Sequence, residues 1–243
     1  MSAVIEDVLQ TEAKPRVKWR TRIWKYLLYA VLALAAVALA VHLSYTYSGS
    51  GKWELVSDRQ GVKVYSMKLP GHDLKKFTAV FRVKASLASI MGFMQDSDSD
   101  LDVDFYKARE LERHGPQMMV TTWRSGFPRP FTDRDFVVRH TFTQDPATKE
   151  VYYVLQSLPD MIPPDSCCVR VPTMNNSWQI TPLKNGEVEI RWVIDMDIGG
   201  AMPYFVINQA HPEIMTDFAS KLQGYFDRPK YAHMKYDWLA EPS

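Results

Sequence analysis

A chain of 243 residues can hold one sizeable hydrophobic core plus an appendage, and does not call for several domains. Its 29 basic and 28 acidic residues nearly cancel, which argues against a nucleic-acid partner, because such a partner requires a basic face to displace counterions. An aromatic content of 12% with 12 methionines suits a large core or an apolar pocket, and counting does not separate the two.

Residues 1–22 show no helical or strand period and read as a flexible basic tail. Lys14, Arg16, Lys18, Arg20, Arg22 and Lys25 crowd against an apolar run over residues 23–43. At 1.5 Å per residue that run extends about 30 Å, the thickness of a bilayer's hydrocarbon, so a transmembrane helix is expected. Trp24, Tyr26 and Tyr29 at one end and Tyr45 and Tyr47 at the other fit the two interfacial aromatic belts. A cleaved signal peptide is the rival, since Ala38-Leu39-Ala40 resembles a small-residue cleavage site, but the preceding polar stretch is long for one. The basic flank puts the N-terminus in the cytoplasm and the remainder across the membrane, periplasmic if the cell is bacterial.

A Ser, Gly and Tyr linker over 44–52 leads to a domain expected over 53–228, with 229–243 as a C-terminal tail. Alternating residues at 61–67 and 74–84, separated by Pro70-Gly71-His72-Asp73, predict paired strands. Ser86 offers an N-cap for a helix to about Gln95, with Leu87, Ile90, Met91 and Met94 on one face. Asp96, Asp98, Asp100, Asp102 and Asp104 then alternate. The pattern resembles the start of an EF-hand loop, but Leu101 stands where Gly is needed and Lys107 where Glu is needed, so no metal site is assigned.

Strands are predicted at 106–113, 117–124, 134–144, 150–158, 168–174, 177–182 and 187–197, with short turns favouring antiparallel neighbours. Cys167 and Cys168 are adjacent, with Cα atoms about 3.8 Å apart, below the usual disulfide range, so two inert thiols on opposite faces of a strand are expected. After Gly199-Gly200, an amphipathic stretch to Phe226 places Tyr204, Ile207, His211, Ile214, Met215, Phe218, Leu222 and Tyr225 on one side. Pro203 suits the start of such a helix, and Pro212 predicts a kink or break near His211. Only this helix is long enough to cover the apolar face of the sheet.

The run Pro128-Arg129-Pro130-Phe131-Thr132-Asp133-Arg134-Asp135-Phe136-Val137-Val138 resembles the StAR-related lipid-transfer (START) family, which carries a Pro-rich turn into an Arg-Asp-aromatic strand. Val169-Arg170-Val171, Ser177-Trp178 with Pro182, and Asp197-x-Gly-Gly-x-Met202-Pro203 before Val206-Ile207-Asn208 extend the resemblance over residues 53–226. It implies an α+β helix-grip fold: a curved antiparallel sheet of about nine strands around a long C-terminal helix, here preceded by one transmembrane helix. It also implies a tunnel for one lipid.

Strand parity puts Met119, Thr121 and Trp123 on one face, and Phe136, Val138 and His140 on one face of the next strand. With Tyr204, Ile207, His211, Met215, Phe218 and Leu222 from the helix, these form the expected ligand-binding set. Sterol-binding members of the family place an acid and an arginine at the positions held here by Thr121 and His140, so that ion pair is absent. Arg134 reads as an anchor for its loop, bonded to backbone. The sequence shows no Gly-x-Ser-x-Gly, His-Glu-x-x-His, P-loop or dinucleotide fingerprint, and no catalytic residue or cofactor is assigned. The expected function is a membrane-tethered lipid-binding or lipid-transfer domain, its cavity gated by the C-terminal helix, with lipid and membrane as partners. Two alternatives stay open. One is a cavity enzyme using His140 as general base beside an Asp, and the other a lipid sensor presenting its loaded state to a partner protein.

Overall fold

The computed structural model describes residues 17–96 and 105–242, and the chain divides into two compact units at Tyr47/Ser48. The alternating Asp98, Asp100, Asp102 and Asp104, and the tail before Val17, lie outside the described residues.

The first unit is α1 (Val17–Tyr47), whose segment Arg22–Tyr47 is 26 residues of apolar helix, long and apolar enough to cross a membrane. Leu, Val and Tyr side chains are exposed between residues 23 and 47.

In the second unit, β1 (Glu54–Arg59), β2 (Val62–Met67) and β3 (Lys76–Val83) form a meander, followed by α2 (Leu87–Met94). Then come β4 (Phe105–Arg113), β5 (Met118–Ser125), β6 (Arg134–Gln144), β7 (Val151–Ser157), β8 (Val169–Arg170), β9 (Thr173–Pro182), β10 (Val188–Ile194), β11 (Met196–Asp197) and α3 (Tyr204–Phe226). Nine strands run in the order β1-β2-β3-β10-β9-β7-β6-β5-β4, all antiparallel, with β8 paired to β6 and β11 to β9 off that path. The described sheet therefore joins its first and second halves through the β3–β10 pair, and one concave face receives α2 and α3.

Several expectations meet a different outcome; α1, for one, runs past residues 23–43 at both ends, into the expected tail and linker. The strands expected at 168–174 and 177–182 are instead a two-residue β8 and an unbroken ten-residue β9. Pro172 lacks the N–H that would continue the first, while the Asn175-Asn176 pair stays in the strand. Asn176 Oδ1 accepts from Asp195 N at 2.9 Å, which also separates β10 from β11. Cys167 and Cys168 are joined by a disulfide rather than being free thiols. They lie in the turn before β8, where Cys168 N bonds Asp165 O, and not on a strand that would send the sulfurs to opposite faces. Of the kink or break expected at Pro212, the break is absent, since α3 runs unbroken through it. Finally, the stretch after α3 is packed: Tyr231 is fully buried, Trp238 lies against the core, and Glu241 accepts from Leu87 N and Ala88 N at 3.0 and 2.8 Å, capping α2.

Ser86 caps α2 as expected, accepting from Ser89 N at 3.0 Å. Against α3, Phe93 of α2 stacks with Tyr225 and meets Phe226 edge-on. Helix α3 packs on β1, β2, β3 and α2. Two side-chain amides fix it there: Asn208 bonds Asp73 O and Lys75 N, both at 2.9 Å, and Gln223 bonds Lys84 O and Lys84 N at 3.0 and 2.8 Å.

Candidate functional site

Cross-strand register carries one face of the sheet inward. Met119, Thr121 and Trp123 of β5 stand opposite His140, Val138 and Phe136 of β6. His140 and Phe142 stand opposite Leu155 and Tyr153 of β7, and these opposite Asn176 and Trp178 of β9. Trp178 in turn faces Trp192 of β10. The aromatic rows are stacked, with ring centroids 4.9 Å apart for Trp123–Phe136, 4.5 Å for Phe142–Tyr153 and 4.8 Å for Trp178–Trp192.

This inward face is filled unevenly. A closed core beneath α2 and α3 includes Phe77, Ile90, Met91, Phe142, Ile190, Met215 and Leu222. A second, smaller cluster holds Phe136, Val138, Val171 and Met174. Between and beside them, Trp123, Leu155, Trp192, Met196 and Phe218 point inward yet are only half-buried. The cause is the placement of α3: it leans on β1–β3, so the inward residues of β5, β7 and β10 are not fully covered. Ile214, on the flank of α3 turned away from β1, is 56% exposed although the helical period puts it on the apolar side.

A hydrogen-bonded polar chain, Thr121, His140 and Tyr153, lies in this apolar surround. His140 Nε2 is 2.7 Å from Thr121 Oγ1, and Nδ1 is 2.6 Å from Tyr153 Oη. Burial, and secondarily the positive charge of Arg113, lower the His140 pKa to about 3, so the ring is neutral at physiological pH. A neutral imidazole donates through one nitrogen and accepts through the other, so one of the two hydroxyls keeps its proton for a further acceptor. Burial also raises the Tyr153 pKa far above the ordinary phenol range. Trp123 Nε1 is a buried donor with no protein acceptor among the described residues. On α3, His211 stacks on Phe77 at 5.0 Å and donates through Nδ1 to Ile207 O at 2.7 Å; burial lowers its pKa, the carbonyl opposing this in part.

Two arginines, Arg134 at the start of β6 and Arg170 on β8, are bonded to protein oxygens. Arg134 is 1% exposed and donates to the carbonyls of Ile198, Gly199 and Thr132. It therefore anchors its own loop through Thr132, as expected, and also the Gly199-Gly200 turn, which the sequence reading did not foresee. Gly199 and Gly200 have φ of 64° and 75°, and a Cβ on Gly200 would sit 3.2 Å from Arg134 Nη2. Arg170 pairs with the buried Asp135 at 2.7 Å and donates to the carbonyls of Pro159, Ile162 and Pro163, holding the β7–β8 connection.

Of the twelve side chains expected to meet a ligand, Thr121, Trp123, Phe136, Val138 and His140 share the concave face. Phe218 lies 5.3 Å from Trp192 between ring centroids, His211 rests on Phe77, Ile207 is buried and Tyr204 is half-buried at the start of α3. Met119, Met215 and Leu222 sit in the closed core. The inward face also carries Tyr153, Leu155, Trp178, Trp192 and Met196, which the sequence reading did not name. Strand parity on β7 and β9 would have found the first three.

A START domain family model matches residues 33–230. The chain belongs to the START domain family. Among curated proteins, it is 27% identical over 179 residues to an uncharacterised protein of Pseudomonas aeruginosa, with 73% of this chain and 88% of that one covered. It is also 27% identical over 183 residues to the phosphatidylcholine transfer protein of Mus musculus, covering 71% and 85%. Among solved structures, a STAR-related lipid transfer protein from Xanthomonas axonopodis superposes with a TM-score of 0.67 at 22% identity, covering 74% of this chain and all of that one. Human STARD10 gives 0.65 at 17% identity, with 77% of each chain covered. These two structures establish the fold: a curved antiparallel sheet gripping a C-terminal helix.

Proposed function

We propose that the domain binds one hydrophobic ligand noncovalently, a phospholipid, a sterol or another lipid, in the hollow between the concave sheet and α3. The observation that carries this is the row of inward-facing but half-buried apolar side chains, Trp123, Leu155, Trp192, Met196 and Phe218. An ordinary core would close over them, since each leaves transfer free energy of about 25 cal/mol per Å² unrealised. A lipid chain laid there would bury them, and the spare hydroxyl proton of the Thr121–His140–Tyr153 chain would meet its polar end. Membership of the START family and the likeness to the mouse phosphatidylcholine transfer protein support the same reading.

In this reading α1 anchors the domain in a membrane, with the basic N-terminal flank in the cytoplasm and the domain on the other side, and exchange requires α3 or its flanking turns to give way. The cavity-enzyme alternative gains nothing from the site: both His140 nitrogens are taken by hydroxyls rather than by a carboxylate, and its low pKa makes it a poor base at neutral pH.

The test is native mass spectrometry of the purified 243-residue chain, with extraction of labelled phosphatidylcholine, cholesterol and diacylglycerol from vesicles. One lipid per chain, unaltered on release, is the expected result. Neither a co-purifying lipid nor extraction of any of the three would overturn the proposal.

A further inference from the structure

Several independent features gather at one end of the sheet. Register aligns the start of β1 with the end of β2 and the start of β3, through Glu54↔Ser66, Ser66↔Phe77 and Met67↔Lys76. The first turns of α3 stand at that same end, because Asn208 bonds Asp73 O and Lys75 N just before β3. The chain also enters the domain there: Lys68 Nζ donates to Ser48 O at 3.3 Å, and Gly51 N to Lys68 O at 3.1 Å. Helix α1 ends at Tyr47, so covalent slack between α1 and this end of the domain is at most one or two residues, about 7 Å.

Five of the ten large apolar side chains exposed among the described residues of the domain lie at this end. On β1 and just before it, Trp53, Leu55 and Val56 are 41%, 53% and 45% exposed; at the start of α3, Phe205 is 59% exposed and Val206 37%. Single exposed apolar residues are ordinary, but five gathered at one end, two of them aromatic, mark a contact surface. At the far end, the β9–β10 turn carries Lys184, Asn185 and Gly186, all exposed and none apolar.

We infer that this apolar fringe, Trp53, Leu55 and Val56 with Phe205 and Val206, docks on the surface of the bilayer that α1 spans. The inference rests on the anchoring reading of α1 given above and adds which face of the domain meets the lipid. A bilayer is the occupant because the tether leaves it within reach of this end and no other, and because Trp and Phe side chains partition into the headgroup boundary. The half-buried Met196 lies near the same end, its strand following the Asp195 that pairs with Lys76 at 2.6 Å. A lipid leaving the hollow on this side would enter the membrane without crossing water.

Site-directed spin labelling tests the inference. The 243-residue chain, with Cys167→Ser and Cys168→Ser, is reconstituted in phosphatidylcholine vesicles, and single labels are placed through Leu55→Cys, Phe205→Cys, Leu34→Cys and Lys184→Cys. All four side chains are exposed, so the labels do not disturb the packed core. The ratio of oxygen to water-soluble nickel accessibility is expected to be several-fold higher at Leu55 and Phe205 than at Lys184, and highest at Leu34. A high ratio at Leu34 with Leu55 and Phe205 no different from Lys184 overturns the docking inference and leaves the anchor standing. A low ratio at Leu34 overturns the anchor, and the docking inference with it.

Discussion

Arg134, the first residue of β6, donates from Nε to the carbonyl of Ile198 at 2.8 Å, joining two segments 64 residues apart in the chain. The same guanidinium reaches Gly199 O at 2.9 Å and lies over the Phe127 ring at 4.8 Å. Replacing it by methionine keeps the bulk and strips the donors from these buried carbonyls. Arg134→Met is therefore expected to lower stability by about 3 kcal/mol, and Arg134→Lys to recover less than half, because an ammonium cannot fork between acceptors. Urea titration of the detergent-solubilised chain measures both; a loss below about 1 kcal/mol would mean the turn holds itself.

Acid sensitivity should trace to His140. Its folded-state pKa is about 3, against about 6.5 in the unfolded chain. The ring takes up its proton on unfolding, so its contribution is fully present above pH 6.5 and is lost as pH falls from there towards 3. Between pH 7 and pH 5 the loss through this residue is about 2 kcal/mol. His140→Gln retains a donor and an acceptor for Thr121 and Tyr153 but does not titrate, so the difference between the two pH values should shrink by that amount. An unchanged difference would assign the proton uptake to other groups.

Two leucines would separate the proposed hollow from the core. Leu222 is fully buried and Leu155 points inward but is half-buried. Leu222→Ala should cost about 3 kcal/mol, and Leu155→Ala less than about 1.5 kcal/mol when no lipid is bound. Leu155→Trp should leave stability nearly unchanged while reducing the lipid that co-purifies by at least several-fold. Equal costs for the two alanine variants would show the space beside Leu155 to be packed.

The C-terminal segment should behave as part of the domain. Glu241 offers one carboxylate oxygen to Leu87 N and the other to Ala88 N. Glu241→Ala is expected to cost about 1 kcal/mol, the usual scale for a lost helix cap. Deletion of 229–243 should cost several times more, because it also removes the fully buried Tyr231. Equal thermal midpoints for the full and shortened chains would refute this.

Legibility in the sequence followed the range of the forces involved. Alternation and turn residues are local, so β2, β3, β5, β6 and α3 could be read to within a few residues. The Asn175-Asn176 pair was misread as a break because the partner that satisfies Asn176, the amide of Asp195, is 19 residues away. The same limit hid Glu241, whose acceptor role depends on an α2 terminus some 150 residues earlier. At the site, parity placed Thr121 and His140 on inward faces, but the third member of their chain, Tyr153, became visible only once β7 was paired to β6. Arg134 was legible as an anchor because a charged group at the start of an apolar strand must find backbone oxygens if it is to be buried. The disulfide was missed because a Cα separation of 3.8 Å was taken to lie below the range a disulfide allows, whereas Cys167 and Cys168 are joined at that separation.

Both amides that fasten α3, Asn208 and Gln223, grip backbone flanking the same strand, β3. A rod pinned at two points on one line keeps a single easy motion, rolling about that line. The edge bearing Ile214 and Phe218 is farthest from the pins and would travel most, while Met215 and Leu222 would hardly shift. In the lipid-binding reading proposed above, admission of a guest would then demand little more than the loss of a few side-chain contacts, and the rate of traffic would be set by that roll rather than by withdrawal of the whole helix.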